Sequence, residues 1–180
     1  MSLAELILYA TPRGPLADAL TALNEEISLT RATTAQSYPP HCTLTGFFHR
    51  RESEIERIND ELRQALDDLG AMPPNAVEVA ALHRRDDWVG LEIRSPWLTR
   101  LTERFVLLHS LAAGDDPLRL KDWLHLSIAY GSDDHQHAVA ATRDFDEQQS
   151  VEWEVALWRR SADGRWQRLD EGIRRLSDDE

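Results

Sequence analysis

The sequence holds one cysteine in 180 residues, one lysine among 20 basic residues, and no long apolar run. A lone Cys42 excludes an intramolecular disulfide framework and a cysteine-based zinc knuckle, and it fits a reducing compartment. No stretch nears the roughly 18 consecutive apolar residues of a membrane span. The opening Met1-Ser2-Leu3-Ala4-Glu5 also lacks the charged and apolar regions of a signal peptide. The expected setting is therefore the cytoplasm, with no membrane partner. Positive charge is scarce as well: 20 Lys+Arg stand against 32 Asp+Glu, a net charge of -12. That field opposes charge-driven binding to long nucleic acid or to an anionic bilayer. Any phosphate this chain handles is expected to be small and met locally. The bias that leaves Lys121 the one lysine carries no functional implication. What is present, 42% apolar and 29% charged residues, suffices for one substantial core. No composition shift or low-complexity linker divides the chain, so a single monomeric domain over 1–180 is expected.

Periodicity orders the chain. Leu6-Ile7-Leu8-Tyr9-Ala10 suits a buried strand, punctuated by Pro12, Gly14 and Pro15. Leu16, Leu20, Leu23 and Ile27 form the stripe of an amphipathic helix over 16–29, followed by an aperiodic loop over 30–38. Pro39-Pro40 forces extended backbone into an expected strand over 41–48. Ser53 and Glu56 have capping-box spacing before a helix carrying Ile55, Ile58, Leu62, Leu66 and Leu69, closed by Gly70. Val77 to Leu82 and Trp88 to Ile93 read as a hairpin across Arg84-Arg85-Asp86-Asp87. Pro96 opens a helix that runs through Leu98, Leu101, Phe105, Leu108 and Leu111 to Gly114. Trp123 to Tyr130 is a strand ended by Gly131, 133–148 a helix, and 151–158 with 166–169 a second hairpin across Asp163-Gly164. The tail ending Asp178-Asp179-Glu180 is expected to fray. This order predicts two similar α+β halves rather than a doubly wound sheet, the unit from His41 recurring from His125.

Each half contains one copy of the same short pattern, His41-x-Thr43 and His125-x-Ser127, 84 residues apart. Alternate residues of a strand share a face, so each histidine projects together with its hydroxyl partner. Were the two strands neighbours, two imidazoles and two hydroxyls would meet. Such a set suits a phosphodiester: a neutral imidazole takes a proton from water, a protonated one supplies the departing sugar oxygen, and hydroxyls hold non-bridging oxygens. Imidazole serves both roles near neutral pH, with no metal or other cofactor required. Spacing alone is weak, because 7 His and 21 Ser+Thr produce such a pattern about once by chance in this composition. On the residues alone, two half-buried strand histidines beside β-favouring Thr and Ser remain an equal alternative. The apolar frames, Cys42 and Leu44 around one and Leu126 and Ile128 around the other, favour the paired reading.

Through Pro40-His41-Cys42-Thr43-Leu44, Leu124-His125-Leu126-Ser127-Ile128-Ala129-Tyr130-Gly131 and the opening Leu6 to Pro12, the chain resembles the two-histidine (2H) phosphoesterases, in particular the small 2′,3′-cyclic phosphodiesterases. The similarity of element order covers almost the whole chain. The resemblance implies an α+β, bilobal fold, with two pseudo-symmetric lobes of antiparallel sheet plus helices around a central cleft. It implies hydrolysis of a small 2′,3′-cyclic nucleotide or related cyclic phosphate, with His125 as base, His41 as acid, and Thr43 and Ser127 on the phosphate. It also implies Tyr130 near the phosphate or its water, and Tyr9 as a stacking surface for the base. Rival classes are a non-catalytic nucleotide-binding module with the same cleft and an RNA-end processing or ligase activity, the latter disfavoured by the acidic charge.

The remaining polar residues have plainer readings. His49, His83 and His109 lack a partner motif. His135 and His137 diverge at i and i+2 on an expected helix, which suits metal ligation only weakly and a solvated helix start better. Arg50-Arg51, Arg84-Arg85, Arg119 and Lys121 suit solvated tips and helix starts as well as an anion. Trp88, Trp153, Trp158 and Trp166 are expected to pack within and between hairpins. Cys42, facing away from its neighbours His41 and Thr43, is expected to be a buried small hydrophobe.

Overall fold

A computed structural model of the chain describes residues 3–29, 39–85, 87–113, 118–130, 132–161 and 164–169. The expected loop at 30–38, the turn or terminating residues Asp86, Gly114, Gly131 and Asp163, and the tail from 170 lie outside them. The first strand, β1 (Leu3–Arg13), is longer than its apolar kernel because alternation continues on both sides. Ala4, Leu6, Leu8 and Ala10 turn to the main core, while Ile7, Tyr9 and Thr11 are buried on the opposite face. Pro12 stays within the strand. The break falls at Gly14, whose φ of 76° suits glycine, and Pro15 opens α1 (Pro15–Leu29), where its missing N–H costs the helix nothing.

The strand expected over 41–48 is broken into β2 (Cys42–Thr43) and β3 (Phe48–Arg51), both antiparallel to β1. Tyr9 pairs with Thr43 and Leu6 with Phe48, so two residues of β1 face four of the incoming chain. Thr45 and Gly46 absorb the surplus. The Leu8 N–H donates to the Thr45 hydroxyl at 3.1 Å, and the Gly46 N–H donates to the Arg119 carbonyl at 2.8 Å. A turn of 3-10 helix at Glu52–Glu54 leads into α2 (Ile55–Leu69). The capping carboxylate there is that of Glu54, accepting the Arg51 N–H at 3.0 Å, in place of the expected Ser53 and Glu56 pair.

The hairpin β4 (Glu78–Arg85) and β5 (Trp88–Arg94) forms as expected. Ser95 caps α3 (Pro96–Ala113): its hydroxyl accepts the Leu98 N–H at 3.0 Å and donates to the Ala76 carbonyl at 2.7 Å. After β6 (Leu124–Tyr130), α4 (Ser132–Ala141) is shorter than the helix expected over 133–148. Arg84 of β4 explains its end, gripping the Thr142 carbonyl at 2.5 Å and the Thr142 hydroxyl at 3.1 Å. The second hairpin is β7 (Glu152–Arg160) with β8 (Trp166–Arg168).

Helices and an antiparallel sheet in similar measure make this an α+β fold. The sheet order is β4-β5-β6-β2-β1-β7-β8, with β3 also on β1. The halves join in one continuous sheet at the β6–β2 seam. From that seam outward each side repeats one scheme: a histidine strand (β2 or β6), then the strand that precedes it through a helix (β1 or β5), then an outer strand (β7 or β4). Along the chain the expected unit from His41 does recur from His125, as β2, α2 and the β4–β5 hairpin against β6, α4 and the β7–β8 hairpin, and in the sheet each side also takes in the strand and helix before its histidine. The outer strand of each side follows the helix after the other side's histidine, which interlocks the halves.

Apolar residues of all four helices meet one face of this sheet. Leu16, Leu20, Ile58, Leu62, Leu98, Leu101 and Phe105 are fully enclosed there. Trp97 and Trp153 belong to that core, whereas β-register places Trp88, Trp158 and Trp166 on the opposite face. Among the described residues, no helix is long and apolar enough to cross a membrane.

Candidate active site

Cys42 on β2 pairs with Leu126 on β6, and both are wholly buried on the helix side. Continuing the antiparallel register sets His41 opposite Ser127 and Thr43 opposite His125. The four side chains alternate with the two buried ones, so all four stand on the face away from the helices. One two-residue pairing thus converges two motifs that lie 84 residues apart. The thiol of Cys42 lies behind them, its pKa pushed up to about 12 by burial, which makes it inert as a nucleophile.

The two imidazoles are held alike. His41 Nδ1 lies 2.8 Å from the Pro39 carbonyl oxygen, and His125 Nδ1 lies 3.3 Å from that of Trp123. A carbonyl can only accept, so each neutral ring carries its proton on Nδ1 and its lone pair on Nε2. Both pKa values fall below the ordinary 6.5. For His41 the causes are burial first and then the neighbouring His125; its bond to the Pro39 carbonyl opposes them. For His125 they are burial, then Lys121 and Arg85, opposed by the Trp123 carbonyl.

Ser127 belongs to a chain of donors. Trp88 Nε1–H donates to Ser127 Oγ at 3.0 Å, the Ser127 hydroxyl donates to the Tyr130 oxygen at 2.6 Å, and that oxygen lies 3.5 Å from His125 Nε2. With the indole donating to Oγ, the serine proton is spent on the Tyr130 oxygen, from which an incoming anion would have to take it over. Tyr130 is 61% exposed, so its hydroxyl can follow. Tyr9 is only 5% exposed; its ring centroid lies 4.1 Å from that of His41, and Trp158 and Trp166 surround it at 6.0 and 6.3 Å. It forms the wall against which His41 rests. Trp166 is stacked in turn on Phe47, 59% exposed, at 5.4 Å.

The His125 side carries a different wall. Trp123 stacks on His125 at 4.4 Å, Trp88 meets Trp123 edge-on at 5.0 Å, and Arg85 lies over both indoles. Arg85, Asp87, Trp88, Trp123, His125 and Tyr130 line an open pocket of about 140 Å3. Glu92, directly across from His125 on β5, pairs at 2.8 Å with His83, so His83 buttresses this wall. His49 is exposed, and His109 is buried in the helical layer. The His135 side chain lies outside the described residues, and among those described no group of three or more His, Cys, Asp or Glu is arranged to hold a metal.

Sequence reasoning passed over Trp88, Trp123 and Gly90. Gly90 pairs with Ser127, and the Trp88 indole lies across it; a Cβ there would come below 3.0 Å from both that ring and the Leu126 carbonyl oxygen. Glycine is required by lack of space. Gly90→Ala is expected to cost about 1–3 kcal/mol by forcing the indole or β6 aside. Urea unfolding measures it, and an unchanged midpoint would mean the indole is not seated there. A lone glycine in an apolar strand was the available signal. Compared with known proteins, the chain matches no protein-family model and no curated protein.

Proposed function

We propose that this protein is a metal-independent phosphodiesterase acting on a small 2′,3′-cyclic nucleotide or a related cyclic phosphate, as its resemblance to the two-histidine phosphoesterases implies. The observation that carries the reading is the Cys42–Leu126 pairing, which gathers His41, Thr43, His125 and Ser127 on one exposed face of the seam. Neither motif alone could catalyse the reaction; together they supply both proton-transfer groups.

The cyclic phosphate lies over the seam, its non-bridging oxygens on the Thr43 and Ser127 hydroxyls. His125, neutral with its lone pair on Nε2, takes a proton from water as the water oxygen bonds to phosphorus. His41, protonated, passes its Nε2 proton to the sugar oxygen as the P–O bond breaks. The product is a phosphate monoester beside a free sugar hydroxyl. The histidines end with their protonation exchanged, and proton exchange with solvent resets them. The near-symmetry of the seam means that a substrate bound in reverse would exchange the roles. Lys121 and Arg85 favour neutral His125, which suits it as the base.

The test is turnover of the four 2′,3′-cyclic mononucleotides in EDTA. Hydrolysis is expected to persist; activity abolished by the chelator would overturn the metal-free mechanism, and binding without turnover would leave a nucleotide-binding module. The pH profile adds a second check. One imidazole must be neutral while the other is charged, so kcat/KM should be bell-shaped, and because both pKa values are lowered its maximum should lie on the acid side of 6.5. A bound phosphate anion stabilises imidazolium, so the kcat profile should sit at higher pH than that of kcat/KM. A rate flat between about pH 5 and 8 would rule out two-histidine catalysis.

A further inference from the structure

The reaction at the seam uses Arg85 only through its charge, which helps keep His125 neutral, and leaves its N–H donors without an assigned partner. This residue enters the pocket beside His125 from β4, two strands outward from β6, or about 10 Å across the sheet. Its guanidinium carbon lies 5.1 Å from the Trp123 ring centroid and 5.7 Å from that of Trp88. Among the described residues it has no carboxylate partner. Arg13, Arg57, Arg94, Arg104 and Arg168 each reach a carboxylate, whereas Arg85 belongs to the arginines that do not, and it lines a pocket with His125. Asp87, on the same pocket's rim, is exposed and makes no ion pair with Arg85.

A guanidinium held over indoles as a cation–π partner still has N–H donors for an oxyanion. The pocket it shares with His125 and Tyr130 opens beside the seam, and Lys121 adds a second positive charge to the same side. The hydroxyls proposed to hold the reacting phosphate stand on β2 and β6. The Arg85 guanidinium reaches the pocket shared with His125 from two strands farther out, where a phosphate beyond the one on those hydroxyls can meet it.

We propose that Arg85, seated on Trp88 and Trp123, forms a second anion subsite on the His125 side, which takes a phosphate that the substrate carries beyond its cyclic one. This rests on the phosphodiesterase reading above and narrows its substrate class to nucleotides with a further phosphate, either a terminal monoester or the next diester of a short oligonucleotide. The His41 side is walled by the rings of Tyr9, Phe47, Trp158 and Trp166, and Arg13 and Arg168 on the same sheet face are both paired with Glu154.

Three substrates test it at low salt: adenosine 2′,3′-cyclic phosphate, the same compound with a 5′-phosphate, and a diadenosine dinucleotide ending in the cyclic phosphate. The wild type should favour one or both phosphate-bearing substrates about tenfold or more in kcat/KM, the sign of a charge-assisted contact. The stronger preference identifies monoester or diester as the ligand. In Arg85→Gln the ratio should fall towards one, and in Arg85→Lys it should be intermediate, because charge survives but the planar fork does not. Arg85 is exposed, so neither change opens the core. Equal kcat/KM values in the wild type, or a ratio unchanged in Arg85→Gln, would overturn the subsite while leaving the hydrolase standing. Should no cyclic substrate be turned over, calorimetry with adenosine 3′-phosphate and adenosine 3′,5′-bisphosphate decides. Tighter bisphosphate binding that Arg85→Gln removes upholds the subsite without the hydrolase; equal affinities overturn it.

Discussion

His41→Ala and His125→Ala are each expected to lower kcat on a 2′,3′-cyclic nucleotide by about 10²–10⁴-fold, the usual worth of one positioned acid or base. Both side chains stand on the solvent side of the sheet, opposite the helical core, so the variants should unfold close to the wild-type midpoint. The double variant should lose far less than the product of the two, because acid and base act in one transition state. The leaving group separates their roles. An aryl diester that expels p-nitrophenolate needs no proton from an acid, so the acid-lacking variant should recover on it and the base-lacking one should not. With His125 as base, His41→Ala is the variant that recovers. Recovery of His125→Ala instead would reverse the assignment, and wild-type kcat in either variant on the cyclic substrate would remove the mechanism.

Glu61→Ala is expected to destabilise the fold by about 3–5 kcal/mol, the cost of stripping one partner from a buried charged network. His109 is 1% exposed; its Nδ1–H donates to Glu61 at 2.7 Å, while its Nε2 accepts from Arg50 Nε at 2.9 Å. Arg57 also donates to Glu61. The cluster ties β3, α2 and α3 together, and without the carboxylate its arginines face a largely apolar layer. A loss below about 1 kcal/mol in urea unfolding would show that solvent already reaches the cluster. The Arg50 bond requires neutral His109, and burial, reinforced by Arg50 and Arg57 and opposed by Glu61, lowers its pKa below 6.5. The unfolded chain therefore takes up the proton first, and stability present above about pH 6.5 is lost as pH falls towards the lowered folded value. His41 and His125 carry the same sign. His109→Gln should flatten the dependence of the unfolding midpoint between about pH 7.5 and 5.5, and an unaltered slope would remove His109 as a contributor.

Much of the framework was legible beforehand, because apolar spacing is a local property. The stripe of α1 is buried, as are Ile58 and Leu62 of α2 and Leu98, Leu101 and Phe105 of α3, with Ile55, Leu66, Leu69 and Leu108 partly buried against the core, and the β4–β5 and β7–β8 hairpins form. The misses share a cause in distant partners. The strand over 41–48 breaks because β1 accommodates Thr45 and Gly46 only by a detour, and α4 ends early because Arg84, remote in sequence, takes the Thr142 carbonyl. In the candidate site the histidines and hydroxyls were found by their repeated spacing. Trp88, Trp123 and Arg85 carried no such pattern, since each acts across strands.

The sequence by itself determined most of the elements, the acidic field that argues against a long polyanion, and the two His-x-hydroxyl pairs, each on one face of its own strand. Whether those faces meet depended on the strand order and on the single pairing of Cys42 with Leu126. A slip of one residue there would send one pair into the core. Tertiary structure also decided that Trp88 could reach Ser127, through the space Gly90 leaves, and that Arg85 stands beside His125 over two indoles with no described carboxylate partner. Register and strand order arise from packing between segments far apart in the chain, so no local run of residues encodes them.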